Sequence, residues 1–245
     1  MFATFWHAVF FDPIYNALIF ILDHVPGGDV GLAIVFLTIG IKLILLPLSL
    51  SAAKTQRAMR LLEPELTKIK EKHKDDREKL ARATMDAYAT AGVRPFASIF
   101  LIFIQLPIIF ALYLAVSQGG GVPFPDINVT LLYSFVPVPD AVAMLFLGIV
   151  DMAGRSLPLA LLAGLTQFVH TRLALPALPP KKKDTAPNFK DDFAHSMQLQ
   201  MRYVLPIVIT VVAYTISAAI ALYFVVSNLM AIATELIVRR NGGRG

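Results

Sequence analysis

Lys42 is the one charged residue in an apolar run from Val30 to Leu50. Placing an ammonium inside a bilayer costs about 3 kcal/mol on insertion scales, so the position needs a reason. One reason is snorkelling, in which the four-carbon stem carries the charge toward the headgroups. The other is a wet cavity, because polar groups at membrane depth need water or partners. Thr38 lies one turn before Lys42 on the same helix face, and Ser49 two turns after it. Other apolar stretches contribute Gln105, Thr166, Gln167, His170, Ser227 and Asn228. Taken singly, each reads as an interhelical hydrogen-bonding residue; taken together, they can line a hydrophilic space. Glu235, near the end of the last apolar run, is the only acid with a chance of facing Lys42. A proton relay or cation site would need deeper carboxylates.

Conventional catalysis finds little here. The chain has no cysteine, which excludes thiol nucleophiles and disulfides, and its histidines (His7, His24, His73, His170, His195) have no ligand-like spacing. There is no Gly-rich phosphate loop, no GxSxG and no paired-Asp arrangement. We expect no enzyme activity, no cofactor and no metal.

The elements that position these residues follow from composition. Of 245 residues 56% are hydrophobic and only 16% charged, against about 25% charged in soluble proteins. Long uncharged stretches alternate with short charged ones, the pattern of an all-α integral membrane protein. Repeated short alternating segments, the mark of a membrane barrel, are missing. Spans are expected over 30–50, 95–117 and 157–175. Tyr203 to Val238 would be ~54 Å long as one helix, so it divides into spans 201–217 and 218–238 with a reversal near Tyr214 to Ala218. That makes five.

Positive charge orients them. Lys and Arg number eleven in Ser51–Arg94, six in Arg172–Arg202 and three after Val238, twenty of the 22. Five spans put these segments on one side, the cytoplasm by the positive-inside rule. The other side holds Arg155 with Asp12, Asp23, Asp29, Asp126, Asp140 and Asp151, so the N-terminus is outside and the C-terminus inside. The net charge of +5 is thus explained by the membrane rather than by sequence-specific nucleic-acid binding. No Lys or Arg precedes Lys42, so a cleavable signal peptide is not expected.

Within the external segment 1–29, Ile14, Ala17, Leu18, Ile21 and Val25 share a helix face, with Asn16 and Asp23 off it. This reads as an interfacial amphipathic helix of about a dozen residues, too short to span. Residues 51–94 read as a charged helical hairpin. Met59, Leu62, Leu66 and Ile69 form a seam on its first helix, and Asp76 is a candidate N-cap for the second. The hairpin is either an ordered platform or simply a solvated connection between spans. Segment 118–156 is an external loop, and Ala141–Val150 within it is apolar but too short to cross, so it is expected to rest at the interface. Segment 176–200 is a Pro-rich cytoplasmic loop. Its run Lys181-Lys182-Lys183 reads first as a topology anchor or a contact to anionic lipid. Residues 239–245 form a short tail.

This order of elements, and several local sequences, resemble the YidC/Oxa/Alb insertases in a short bacterial form. Ile41-Lys42-Leu43 through Leu46-Pro47-Leu48 is similar to that family's first core span, which carries an arginine before a Leu-Pro or Tyr-Pro exit. Leu62-Glu63-Pro64-Glu65 resembles the start of its cytoplasmic hairpin. Gly92-Val93-Arg94-Pro95 followed by Ile104-Gln105-Leu106-Pro107-Ile108 resembles the entry to its second core span. Ala221-Leu222-Tyr223-Phe224-Val225-Val226-Ser227-Asn228-Leu229 resembles its last span, and the likeness runs from Phe5 to Arg240.

The resemblance implies a membrane insertase and chaperone, with a hydrophilic groove open to cytoplasm and lipid but closed outside, in the bacterial inner membrane. It maps the groove cation onto Lys42 and groove-lining positions onto Gln105, Thr38 and Phe224. Gln167 and Asn228 join the candidate site from the polar set above. Implied partners are nascent membrane-protein clients and the bilayer. A Sec-type translocon, the ribosome and the signal-recognition-particle receptor are candidates for the 51–94 hairpin and the 176–200 loop. Three features depart from the family pattern. Lys42 replaces an arginine, Phe224 replaces an aromatic able to hydrogen-bond, and Ile216-Ser217-Ala218-Ala219 replaces a Pro-Gly turn. The rival readings are a small transporter or channel, which predicts an internal repeat or deep carboxylates, and a translocon subunit that inserts nothing.

Overall fold

A run of helices is what the apolar stretches form in the computed structural model, which describes residues 2–73, 76–92, 97–175, 196 and 199–241. Most of the expected 176–200 loop, including Lys181, Lys182 and Lys183, lies outside the described residues, as do the 93–96 junction and residues 242–245. The helices are α1 (Phe2–Trp6), α2 (Asp12–His24), α3 (Val30–Ile44), α4 (Leu46–Lys72), α5 (Arg77–Thr90), α6 (Ala97–Gln118), α7 (Leu157–Ala174), α8 (Leu205–Ile216) and α9 (Ala218–Asn241). A π-turn, His7–Phe11, joins α1 to α2, and another, Gln200–Val204, leads into α8.

The N-terminal helix is longer than its sequence pattern suggests. Pro13 reads as a helix start because its missing N–H is harmless in a first turn. Here the π-turn carries the helix across it, with the Asp12 amide bonding back to the His7 carbonyl. Ala3–His24 is then 22 residues long and apolar enough to cross a membrane, so the length argument against a span does not hold. Asn16, expected off the apolar face, is buried. Its amide donates to the Leu131 carbonyl at 2.9 Å and its oxygen accepts from the Tyr133 amide at 2.7 Å. Beside it the Tyr15 hydroxyl accepts from the Asn128 amide at 2.9 Å. Residues 128–133 of the 118–156 loop thereby fold onto α2.

The helix expected over 30–50 is divided. α3 ends at Ile44, and the chain bends by 64° into α4. Pro47 stands in the first turn of α4, where its absent N–H withdraws the bond the Leu43 carbonyl would receive in a continuous helix. By length and composition, Phe103–Gly121 and Ala218–Arg240 are also able to cross a membrane, and the bent pair Val30–Ile44 with Leu46–Met59 makes a fourth candidate. The apolar stretch Gln200–Ile216 is shorter. Between α8 and α9 the break falls at Ser217, whose backbone is extended.

Two apolar clusters hold the bundle. The larger joins α2, α3, α6 and α9 through Tyr15, Leu18, Ile34, Leu112, Leu222 and Tyr223. The smaller, of Ala160, Ala163, Ala213, Ala221 and Val225, lies where α7 packs against α8 and α9. Lipid is as apolar as leucine, so close backbone approach through small residues has to do what hydrophobic burial does in water. Gly164 shows how close: a Cβ there would meet the Thr210 Oγ1 at 1.8 Å.

The charged hairpin is α4 and α5. Asp76 caps α5, accepting from the Lys79 amide at 3.0 Å. Within residues 141–156, β1 (Leu145–Phe146) pairs antiparallel with β2 (Val150–Asp151) in a small hairpin.

Candidate functional site

Lys42 sits in the last turn of α3, just before the 64° bend into α4. It is half-buried, and its ammonium donates to the side-chain oxygen of Gln105 on α6 at 3.0 Å. His170, half-buried on α7, lies close enough to interact electrostatically with Lys42. Three helices therefore bring a cation, an amide and an imidazole to one place. Among the described residues no carboxylate pairs with Lys42. Glu235, the acid that might have faced it, is buried and bonded to the Arg239 Nε at 3.3 Å instead. An amide oxygen satisfies an ammonium without cancelling its charge.

The other residues singled out from sequence divide by what their polar atoms do. Thr38 is buried, and its hydroxyl donates to the Ile34 carbonyl of its own helix at 2.6 Å. Asn228 is buried between helices, its amide 3.3 Å from both the Ala163 carbonyl and the Thr166 hydroxyl. It pins α9 to α7. Gln167 is half-buried, its amide donating to Thr171 Oγ1 one turn on at 3.1 Å. Phe224 is half-buried against both apolar clusters and meets Tyr223 edge-on at 5.8 Å. The structure thus joins Lys42 to Gln105, uses Thr38 and Asn228 in packing, and leaves Gln167 on its own helix. His170 was visible only as one of several polar residues. The signal that would have raised it is the spacing Gln167, His170, Thr171, a polar stripe on one face of α7.

The two ends of the bundle are built differently. At one end Asp29 caps α3, accepting from the Leu32 amide at 3.0 Å, while its second oxygen accepts from the Leu147 amide at 2.7 Å. Main-chain bonds from Val30 to Ala143 (3.0 Å), Ala218 to Gly154 (2.7 Å) and Ala219 to Met152 (3.1 Å) fasten the starts of α3 and α9 to residues 141–156, and Met152 is fully buried there. That end is closed. At the other end Arg57 of α4 donates to the Val238 and Arg239 carbonyls at 3.2 and 3.1 Å, while Arg239 donates to the Leu173 carbonyl. Cations at the C-termini of α7 and α9 suit the negative ends of those helices. No sequence pattern flagged Arg57.

Comparison with known proteins agrees with this architecture. The family model described as 60Kd inner membrane protein matches residues 21–244. Similar relatives include a protein named membrane protein insertase YidC 2 from Bacillus anthracis, 29% identical with 96% of this chain and 81% of the relative aligned. Another, named membrane protein insertase YidC, from Fusobacterium nucleatum subsp. nucleatum, is 30% identical with 88% of each chain aligned. A third of that name, from Oceanobacillus iheyensis, is 29% identical with 96% of this chain and 84% of the relative aligned. A helical membrane protein in sequence and structure alike, this chain belongs to the 60Kd inner membrane protein family.

Proposed function

We propose that this protein inserts other proteins into the membrane and assists their folding there, as a chaperone rather than an enzyme. The observation that carries the reading is the Lys42–Gln105 pair beside the bend of α3, a cation that no carboxylate pairs with among the described residues. A polar or acidic segment of a client is drawn toward that charge and loses its water in stages. The client's apolar helices then leave into lipid, driven by burial worth ~25 cal/mol per Å². The groove opens to the cytoplasm and to lipid, with Lys42, Gln105, Phe224 and Gln167 lining it and the buried Thr38 and Asn228 packing the helices behind.

Taking α2 as an interfacial helix, because its Tyr15 and Asn16 bind residues 128–133, the same reading gives five spans in a bacterial cytoplasmic membrane, N-terminus outside and C-terminus inside, from the distribution of Lys and Arg. The α4–α5 hairpin, with Leu61 and Met85 exposed on it, is then the surface for a ribosome, targeting receptor or Sec-type translocon.

The test is insertion of a one- or two-span client into liposomes, scored by protease protection. The wild-type protein is compared with Lys42→Ala, Lys42→Arg and empty liposomes. Protection lost in the Ala variant and kept in the Arg variant is the expected result. Equal protection in every variant reduces Lys42 to a snorkelling anchor. No protection above empty liposomes, with folded protein and competent clients, replaces the insertase with a structural subunit of a larger translocon.

A further inference from the structure

The small hairpin at the closed end is apolar on both sides. Leu145 pairs with Asp151 and Phe146 with Val150, leaving residues 147–149 as the tip. On the inner side Met144, Phe146 and Val150 pack against the main cluster. The Phe146 ring lies so close over Gly31 that a Cβ there would come within 2.3 Å of it. On the outer side Leu145, Leu147 and Ile149 are 51%, 61% and 81% exposed. An antiparallel hairpin with one face on a core and one in water alternates apolar with polar residues. This one does not, and Ala141–Val150 contains no charged residue.

The tip departs from a water-exposed turn in a second way. Leu147 has φ 51° and Gly148 φ 73°, both left-handed. Asn-Gly or Asp-Gly ordinarily fills such a pair, because an L side chain is strained there unless it is short and polar. Here the turn carries a strained leucine in place of the short polar residue that a solvent-facing turn would use.

Its height is set by bonds to the first turn of α3. The Leu147 amide is held by the Asp29 carboxylate at 2.7 Å, and Ala143 exchanges main-chain bonds with Val30 and Gly28 at 3.0 and 2.8 Å. Resting on the reading of α3 as the first span, the tip stands where that span leaves the bilayer. Phe36, 53% exposed farther along α3, continues the apolar surface inward.

We propose that Leu145, Leu147 and Ile149 insert into the lipid leaflet around the outer end of α3 and anchor the closed end of the bundle at a fixed depth. The occupant is phospholipid acyl chain. Three aliphatic side chains offer roughly a few hundred Å², below the ~800 Å² per partner of a stable protein interface, so a second copy is the poorer fit.

The test uses the full chain in phosphatidylcholine vesicles whose lipids are brominated at shallow or deep acyl positions. Trp6 is the only tryptophan, so Trp6→Phe gives a dark background for Ile149→Trp and, as a reference within α3, Phe36→Trp. Expected is blue-shifted emission from Ile149→Trp, reduced about twofold by shallow bromines, as suits side chains buried ~5–10 Å into the headgroup boundary. Phe36→Trp should be quenched more by deeper bromines. If Phe36→Trp is quenched and Ile149→Trp is not, the anchor is overturned while the span stands. Red emission would then mean that water covers the tip, and blue emission that protein does. Quenching of neither overturns the reading of α3 as a span and the anchor with it.

Discussion

The Lys42 ammonium and the Gln105 side-chain oxygen meet at 3.0 Å across α3 and α6. The pairing satisfies the cation and leaves its charge available. Gln105→Glu, nearly the same shape, should neutralise it with an internal ion pair. We expect insertion of a client with an acidic translocated segment to fall about tenfold, the loss of roughly 1.4 kcal/mol of attraction. A client with an uncharged segment should change little. Comparing initial insertion rates of the two clients checks this, and equal losses for both would assign Gln105 to structure alone.

Gly164 offers a prediction about packing. A Cβ there would sit 1.8 Å from Thr210 Oγ1 and 3.1 Å from the Pro206 carbonyl. Gly164→Ala should therefore push α8 away from α7 and destabilise the protein by about 1–3 kcal/mol. Thr210→Ala removes the nearest atom, and its hydroxyl donates to the Pro206 carbonyl of its own helix, at 2.9 Å. The double variant should recover much of the loss. Thermal unfolding in detergent for the four members of the cycle measures the coupling.

What could be read from the sequence was whatever depends on one helix at a time. The uncharged length from Tyr203 to Thr234 demands a break, and the break falls at Ser217, inside the Tyr214–Ala218 window. Asp76 caps α5 as its local sequence suggests. Lys42 stood out because a charge in an apolar run is conspicuous. What stayed hidden depends on contacts between distant residues. Asn16 has a polar side chain whose partners, Leu131 and Tyr133, lie more than a hundred positions away. The bend at Leu45 hides in a run that stays apolar on both sides of it, because Pro47 is compatible with a kinked helix and with the start of a new one. Nothing local tells that Thr38 turns its hydroxyl onto its own backbone while Asn228 reaches α7.

Asp29 holds two elements with one carboxylate, and the two oxygens can be separated experimentally. Asp29→Ala removes the cap of α3 and the acceptor for the Leu147 amide, and should destabilise by about 2 kcal/mol, roughly one for each bond. Asp29→Asn keeps one acceptor and presents an NH₂ to the other donor, so about half the loss should remain. Hydrogen exchange at the Leu147 and Leu32 amides distinguishes them. Both should speed up in the Ala variant and one alone in the Asn variant.

Asp76 gives the hairpin a dependence on pH whose sign follows from its bonds. Its carboxyl is held below the usual range, first by the Lys79 amide and then by the Lys79 ammonium at 3.0 Å. A carboxyl depressed in the folded state stabilises above its ordinary pKa near 4 and loses that contribution as pH falls through the folded value. Fraying of the first turn of α5 should therefore increase on acidification below about pH 4. Asp76→Asn retains a capping oxygen but cannot titrate, so its fraying should stay level across the same range. Exchange of the Lys79 amide, corrected for its intrinsic pH dependence, reads this directly. Parallel profiles for the two proteins would mean that the cap acts without its charge.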